Sequence, residues 1–163
     1  MAFNLNDEHR SFMREAIREA EEAQRGGNLP IGAVIVLDGE IISRGRNSIW
    51  SPSPALTRHA EIEALRAVPA NLWTRAREMT LYTTLEPCVM CAGAILLHDI
   101  GRLVFGSTDP YGGAGEVLGC LPPYFKEQLS QTDWAGPLLP EACDPLYRGA
   151  RALENDRANF EIK

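Results

Sequence analysis

The first third of the chain alternates between amphipathic and fully apolar stretches. Apolar residues recur every three or four positions over residues 7–24, with acids in the first turn and glycines after the last, which predicts a surface helix. Residues 31–37 are uninterruptedly apolar and rich in β-branched side chains, which predicts a strand buried on both faces. Asp38–Gly39 is a two-residue turn signal, so we expect the chain to return as a second strand over Glu40–Arg46.

The middle third carries helical patterns that alternate with strand patterns. Residues 47–58 are rich in serine and proline, which is typical of a loop. A helical pattern opens at His59, with Thr57 as its expected cap, and ends before Pro69. A strand, a helix and a further strand are then predicted, in that order, over residues 79–85, 87–98 and 102–107. This alternation favours a three-layer α/β domain with helices on both faces of the sheet.

The pattern weakens after Ser107. Residues 109–115 contain a proline and several glycines and cannot form regular structure, so we expect a mobile lid there. Residues 121–134 are expected to hold a short helix or strand, and residues 140–155 a closing helix that Pro145 shortens or interrupts. Residues 1–163 are therefore predicted to form one domain, with its core over 5–110 and the lid and C-terminal helix over 109–157.

Composition and charge narrow the functional classes. No apolar run approaches the ~20 residues that a membrane span needs, and residues 1–10 lack a signal-peptide core, so we expect a cytoplasmic location. The net charge of −6 argues against a polynucleotide as the main ligand, because nucleic-acid binders usually carry a positive footprint. A local basic patch at Arg44, Arg46 and Arg58 stays open.

Two closely spaced cysteines are the strongest candidates for functional residues. Cys88 and Cys91 follow Pro87, where a strand pattern meets a helical pattern. Proline suits the first helical position, which places both cysteines on one face of the first turn. Unpaired N–H groups and the positive end of the helix dipole favour thiolates there, and thiolates bind metals. His59, at the head of the preceding helix, is the best candidate for a third ligand.

A set of one histidine and two cysteines is typical of a catalytic zinc site, because it leaves one tetrahedral position open. Glu61 lies two residues from His59 on the same helix, so its carboxylate can stand beside that position and move protons. Water activated there would be the nucleophile of a hydrolysis. The residues therefore predict a zinc-dependent hydrolase.

Other interpretations of the cysteines remain open. A structural zinc site built from four thiols would need Cys120 and Cys143, whose spacing is far wider than that of usual zinc-binding pairs. A redox dithiol also uses Cys-x-x-Cys, although the histidine and glutamate at the head of another helix argue against it. His98 lies roughly 10 Å along the helix from Cys91, too far to be a ligand. A noncatalytic, zinc-stabilised interaction domain is a third possibility.

Residues 58–62 and 84–94 together resemble the cytidine deaminase superfamily, whose signature is His-x-Glu followed by Pro-Cys-x-x-Cys. They are most similar to the branch that holds bacterial tRNA adenosine deaminases, guanine deaminases and fungal-type cytosine deaminases. The resemblance implies an α/β/α sandwich with a five-stranded mixed sheet, a homodimer, and one Zn²⁺ per chain held by His59, Cys88 and Cys91. It also implies that the enzyme is a hydrolytic deaminase, in which water attacks a ring carbon that carries an exocyclic amine and ammonia leaves, and that Glu61 is the proton shuttle.

The resemblance further implies where the substrate binds. Asn47, at the end of the second strand, matches an asparagine that contacts the base, and its amide can donate and accept at once. Trp50, Tyr111 or Phe125 are able to close over a ring by stacking. The other expected contact residues lie next to the metal ligands, before the first strand or in the glycine-rich loop: Pro30, Ile31, Ala60, Leu85, Glu86, Pro87 and Asp109.

The substrate class is predicted from departures from the tRNA enzymes. Residues 88–94 and 104–109 are similar to those enzymes, but the loop after Asp109 lacks the lysine expected there. The last helix mixes arginines with acids where those enzymes end in a basic tail, and a tRNA contacted through several phosphates favours more cations. We therefore expect a free nucleobase or related heterocycle of the guanine, cytosine, isocytosine or triazine type. The alternative is a tRNA adenosine deaminase that forms inosine in an anticodon loop.

Overall fold

The computed structural model describes residues 5–161, with side chains up to Asn155. The helices in this part of the chain are α1 (Asp7–Arg25), α2 (Ala60–Arg66), α3 (Val89–Leu97), α4 (Pro123–Ser130) and α5 (Pro140–Glu161). The strands are β1 (Gly32–Leu37), β2 (Glu40–Arg46), β3 (Thr80–Leu85), β4 (Arg102–Ser107) and β5 (Asp133–Ala135). None of the described helices has both the length and the apolar character needed to cross a bilayer. Residues 1–4 and 162–163 of the predicted domain lie outside the described residues.

The five strands form one mixed sheet in the order β2-β1-β3-β4-β5. β1 runs antiparallel to both β2 and β3, whereas β3, β4 and β5 run parallel. In the hairpin turn Asp38 and Gly39 both have positive φ, 54° and 77°, as a two-residue turn matched to strand twist requires. The predicted α/β fold with a five-stranded mixed sheet is confirmed.

Each face of the sheet packs against its own helices. One core joins β1, β3 and β4 to α1 and the start of α5, and contains Met13, Ala16, Val34, Tyr82, Val104 and Cys143. The other core joins the opposite face to α2 and α3, and contains Ile35, Ala64, Leu65, Leu81, Ile95 and Leu103. The molecule is therefore a three-layer sandwich, with the N-termini of α2 and α3 close together on one side of the sheet.

Two glycines allow helices to lie directly on the sheet. A Cβ atom on Gly45 of β2 would lie 2.1 Å from the carbonyl oxygen of Ala60 in α2. A Cβ atom on Gly32 of β1 would lie 2.2 Å from the carbonyl oxygen of Ala16 in α1. Any side chain at position 45 would therefore push α2 and its N-terminal residues away from β2.

Three local predictions need correction. α2 begins at Ala60 with His59 as its N-cap, so Thr57 does not cap it. α3 begins at Val89 because Cys88 has extended backbone angles, which makes Cys88 the N-cap and leaves Pro87 before the helix. α5 continues across Pro145 for 22 residues, and burial of residues on both sides of the proline offsets the hydrogen bond that it cannot make.

Candidate metal centre

Three potential metal ligands meet where α2 and α3 begin. His59 Nδ1 lies 3.6 Å from Cys88 Sγ and 3.5 Å from Cys91 Sγ. All three ligand atoms lie within 4.8 Å of one another. The helix starts achieve this because His59 and Cys88 are both N-caps, while Cys91 lies in the first turn of α3.

The spacing of these atoms fits a zinc ion. Sulfur at ~2.3 Å and nitrogen at ~2.0–2.1 Å from a tetrahedral zinc ion lie ~3.6 Å apart, which matches the observed separations. Cys120 is exposed, and Cys143 is buried in the core on the other face of the sheet. The geometry therefore excludes the alternative of a four-cysteine site. His98 is not a ligand either, because its Nδ1 is hydrogen-bonded to the carbonyl oxygen of Ala94 at 2.8 Å.

The electrostatics of the cluster favour a cation. Two hydrogen bonds lower the pKa of the Cys88 thiol to about 4, and the bond with Cys91 has a larger effect than the bond with His59. The hydrogen bond with Cys88, together with burial, raises the pKa of the Cys91 thiol. The contact with Cys88 also raises the pKa of His59. An anionic sulfur beside an imidazole and a second thiol is the setting in which zinc replaces protons.

Glu61 stands beside this cluster in the first turn of α2. Its side chain is almost completely buried, with 3% of the residue exposed, and burial raises the pKa of its carboxyl group. Oε1 accepts a hydrogen bond of 3.2 Å from Thr83 Oγ1 in β3, and Oε2 lies 3.4 Å from Cys91 Sγ. The carboxylate is therefore fixed in direction, with one oxygen towards the sulfur ligands.

A cavity of about 240 Å³ opens over the cluster. Eight of the predicted site residues line it: His59 and Cys88 of the cluster, the neighbouring Glu61, and Ile31, Leu85, Glu86, Asp109 and Tyr111. Residues that we did not predict complete the lining: Leu29, Ile49, Gly112, Tyr147, Ala150, Arg151 and Glu154. The sequence thus identified the metal side of the cavity and part of its rim.

The other predicted contact residues are not part of the cavity lining. Asn47 is 1% exposed, its Oδ1 accepts from the backbone N–H of Ile49 at 3.4 Å, and its Nδ2 has no hydrogen-bond partner within the described structure. Pro30, Ala60, Pro87 and Trp50 are also absent from the lining. Phe125 lies in a separate apolar groove beside α3. Their expected contacts with substrate stay predictions.

The loop after β4 is held by Glu86. Glu86 is buried and uses both carboxylate oxygens on backbone N–H groups, Oε2 on Asp109 at 2.9 Å and Oε1 on Gly115 at 3.0 Å. Asp109 Oδ1 in turn accepts from the N–H groups of Tyr111 and Gly112, each at 3.0 Å. Residues 109–115 are therefore held by hydrogen bonds to the metal side of the cavity in this structure, and their role as a mobile lid stays a prediction.

Helix α5 supplies four of the seven lining residues that sequence analysis missed. Tyr147 Oη donates to Asp109 Oδ1 at 3.0 Å. The guanidinium carbon of Arg151 lies 4.0 Å from the centroid of the Tyr111 ring, and Arg151 Nη1 lies 2.6 Å from Glu154 Oε2. Helical spacing places these α5 residues on one face, but it gives no sign that this face meets the cavity.

Comparison with known proteins identifies related chains. Residues 6–107 match the family described as the cytidine and deoxycytidylate deaminase zinc-binding region. The chain is 45% identical over 111 residues to the tRNA-specific adenosine deaminase of Bacillus subtilis, spanning 66% of each protein. It is 40% identical over 148 residues to the tRNA-specific adenosine deaminase of Aquifex aeolicus, spanning 89% of this chain and 95% of that one.

A solved structure shows a similar fold. It comes from work on A-to-I editing by tRNA:A34 deaminases at the wobble position of transfer RNA. Its TM-score is 0.70 at 37% identity, over 84% of this chain and 99% of the other.

These relatives overturn the expected substrate. Both curated relatives are named for adenosine in tRNA, so the expectation of a free nucleobase or small heterocycle is wrong, as is that of a small-molecule partner. The family match, with the three-residue cluster, confirms the predicted zinc cofactor and the predicted class of hydrolytic deaminase. The homodimer stays a prediction.

Proposed function

Because the chain belongs to the cytidine and deoxycytidylate deaminase zinc-binding family, we propose that it deaminates an adenosine in a tRNA anticodon loop, consuming water and forming inosine and ammonia. The observation that carries this proposal is the similarity to the Aquifex aeolicus tRNA-specific adenosine deaminase over 89% of this chain. An alignment of that extent cannot be confined to residues 6–107, which contain the metal-binding motifs. It therefore supports a shared substrate as well as a shared metal site.

The metal side of the cavity supplies the chemistry. His59, Cys88 and Cys91 would hold the zinc ion, and as only three protein ligands they leave room for a further one. When bound there, zinc supplies a Lewis acid that makes water more nucleophilic at neutral pH. The two sulfurs and the imidazole would hold it next to Glu61, whose Oε2 lies 3.4 Å from Cys91 Sγ.

Glu61 carries the protons in this proposal. The hydrogen bond from Thr83 holds Oε1, which leaves Oε2 on the side of the sulfur ligands. From that position the carboxylate takes a proton from the attacking water and delivers it to the adjacent ring nitrogen. The same carboxylate then takes the proton of the added hydroxyl group and passes it to the exocyclic amine, so that the C–N bond breaks, the carbonyl forms and ammonia leaves.

The remaining walls bind and orient the base. Ile31, Ile49 and Leu85 give the cavity apolar sides for the faces of a ring. Asn47 accepts from the backbone N–H of Ile49 outside the lining, and its buried Nδ2 donor, unpaired within the described structure, would bind a ring acceptor once the Ile49 wall moves as the base enters. A cavity of about 240 Å³ is small, so the target adenosine must leave the stack of the loop to enter it.

The acidic net charge does not oppose RNA at this cavity. Both oxygens of Glu86 are taken by backbone N–H groups, and Glu154 is paired with Arg151. On the same helix Arg148 is exposed and has no ion-pair partner among the described side chains. Electrostatic interactions with RNA phosphates are largely screened beyond about 10 Å. Charges at the rim of the cavity therefore affect RNA binding more than the net charge of −6 does.

The test uses the purified, zinc-loaded chain and an anticodon stem-loop with adenosine at the wobble position. Nuclease digestion and chromatography of the products should show inosine. A matched stem-loop with guanosine at that position and an adenosine elsewhere in the loop should give none. Adenine, adenosine, guanine and cytosine should release no ammonia. Ammonia from a free base without inosine in the stem-loop contradicts the proposal.

A further inference from the structure

We propose that Tyr111 is a stacking platform for a nucleotide next to the target adenosine, an inference that rests on the function proposed above. The Tyr111 residue lines the mouth of the cavity and is 77% exposed. A large aromatic ring in this place is open both to solvent and to whatever enters the cavity. It is therefore the first flat apolar surface that the flanking part of a bound loop meets.

Arg151 covers one face of this ring and sets its orientation. The guanidinium carbon lies 4.0 Å from the ring centroid, within the range of a cation–π contact. Glu154 holds the guanidinium in turn, at 2.6 Å from Nη1 to Oε2. With one face covered by a cation that is itself held in place, the opposite face is the surface available to a second flat partner.

The backbone of Tyr111 is tied to the loop and to α5 through Asp109. Its N–H donates to Asp109 Oδ1 at 3.0 Å, and that oxygen also accepts from Tyr147 Oη at 3.0 Å. The N–H of Asp109 is bound by the buried carboxylate of Glu86. The ring is thus positioned by the loop and α5 together, and ordering it on binding costs little conformational entropy.

An unpaired base is the partner that suits this surface. A base that leaves the loop to enter the cavity brings its two neighbours to the mouth, where they have lost a stacking partner. Residues 109–115 contain no lysine or arginine, so this loop offers a ring and not a cation to the RNA. Unpaired bases stack readily on exposed aromatic side chains, whatever their sequence.

The experiment compares Tyr111→Ala with Tyr111→Phe on the wobble-adenosine stem-loop. Loss of one base–aromatic stack weakens binding by about 5- to 150-fold, so KM should rise by that factor in Tyr111→Ala while kcat changes little. Tyr111→Phe keeps the ring and should keep the KM. Tyr124→Ala is the matched control, because Tyr124 is an exposed aromatic on α4 that does not line the cavity.

Abasic nucleotides then identify the stacked base. Stem-loops that lack the base on the 5′ or the 3′ side of the target are assayed with the unmodified protein and with Tyr111→Ala. At one of the two positions the abasic substitution should raise the KM of the unmodified protein as much as Tyr111→Ala does, and the two changes together should add nothing further. A fluorescent base analogue at that position should be quenched on binding by the unmodified protein and by Tyr111→Phe, and not by Tyr111→Ala.

The outcomes separate this inference from the proposed function. If the unmodified protein makes no inosine in the stem-loop, both are overturned. If it does, and Tyr111→Ala leaves KM unchanged, or Tyr111→Phe loses as much as Tyr111→Ala, or the effects are additive at both abasic positions, the stacking platform alone is overturned.

Discussion

The two sides of the cavity are built in opposite ways. The metal side, formed by His59, Glu61, Cys88 and Cys91, is largely buried and comes from the first turns of two helices and the residues before them. The rim is half-buried to exposed, and a hydrogen bond between Tyr147 and Asp109 joins segments 38 residues apart. It is formed by Asp109, Tyr111 and Gly112 and, from α5, by Tyr147, Arg151 and Glu154. Changes on the metal side should therefore affect kcat, and changes in the rim should affect KM.

Replacement of a zinc ligand should have the largest effect. Cys91→Ala removes a fully buried sulfur that lies 3.5 Å from His59 Nδ1, so we expect loss of bound zinc and of detectable inosine formation. Elemental analysis gives the ratio of zinc to protein. Cys143→Ala is the matched control, since Cys143 is equally buried in the other core, and it should keep both zinc and activity. Full zinc content in Cys91→Ala would remove this residue from the ligand set.

The metal side was predictable because its geometry is local. A cysteine pair three residues apart at a helix start must share a face, and a histidine and glutamate at the head of a helix are similarly close. An error of two residues in the start of α3 therefore did not separate Cys88 from Cys91. What the sequence could not show is that the two helix starts meet, and the resemblance supplied that step.

Glu61→Gln should come next in size. The amide keeps the shape of the side chain but cannot carry a proton, so kcat should fall by roughly 10²–10⁴-fold while the zinc content stays the same. Glu63→Gln is the matched control two residues along α2, where the carboxylate pairs with Arg58 and Arg66 outside the cavity lining. An unchanged kcat in Glu61→Gln would show that another group carries the protons.

The rim was only half predictable. Asp109 and Tyr111 follow β4 directly, and their place beside the site comes from the order of the strands. Tyr147 and Arg151 share a helical face that the sequence reveals, but their partners lie about 40 residues earlier, and periodicity does not identify them. The substrate was misjudged because the missing lysine after Asp109, the mixed charges of the last helix and the net charge of −6 were all taken as evidence against RNA, whereas the relatives are named for tRNA.

A buried acid joins the two sides, and its replacement should affect both stability and KM. In Glu86→Gln an amide NH₂ faces one of the two backbone N–H donors, of Asp109 or Gly115, and leaves it unsatisfied. The free energy of unfolding should fall by about 1–3 kcal/mol in urea titrations. KM for the stem-loop should rise, since the loop carries Asp109 and Tyr111.

The control for Glu86→Gln is Glu116→Gln. It removes the same charge from an exposed residue of the neighbouring loop that makes no hydrogen bond within the described structure. Its stability and KM should match those of the unmodified protein. Equal losses in the two variants would mean that charge, and not the pair of backbone hydrogen bonds, accounts for the effect.

Tyr147→Phe should have the smallest effect and is the most direct test of the division between the two sides. It removes one of the three hydrogen bonds to Asp109 Oδ1 and leaves those from Tyr111 and Gly112. A net loss of ~0.5–1.5 kcal/mol corresponds to a rise in KM of about two- to tenfold. Tyr124→Phe, which removes an exposed hydroxyl on α4, should leave KM unchanged. Because no residue of the metal side contacts the Tyr147 hydroxyl, a fall in kcat at constant KM would show that the rim also acts in the chemical step.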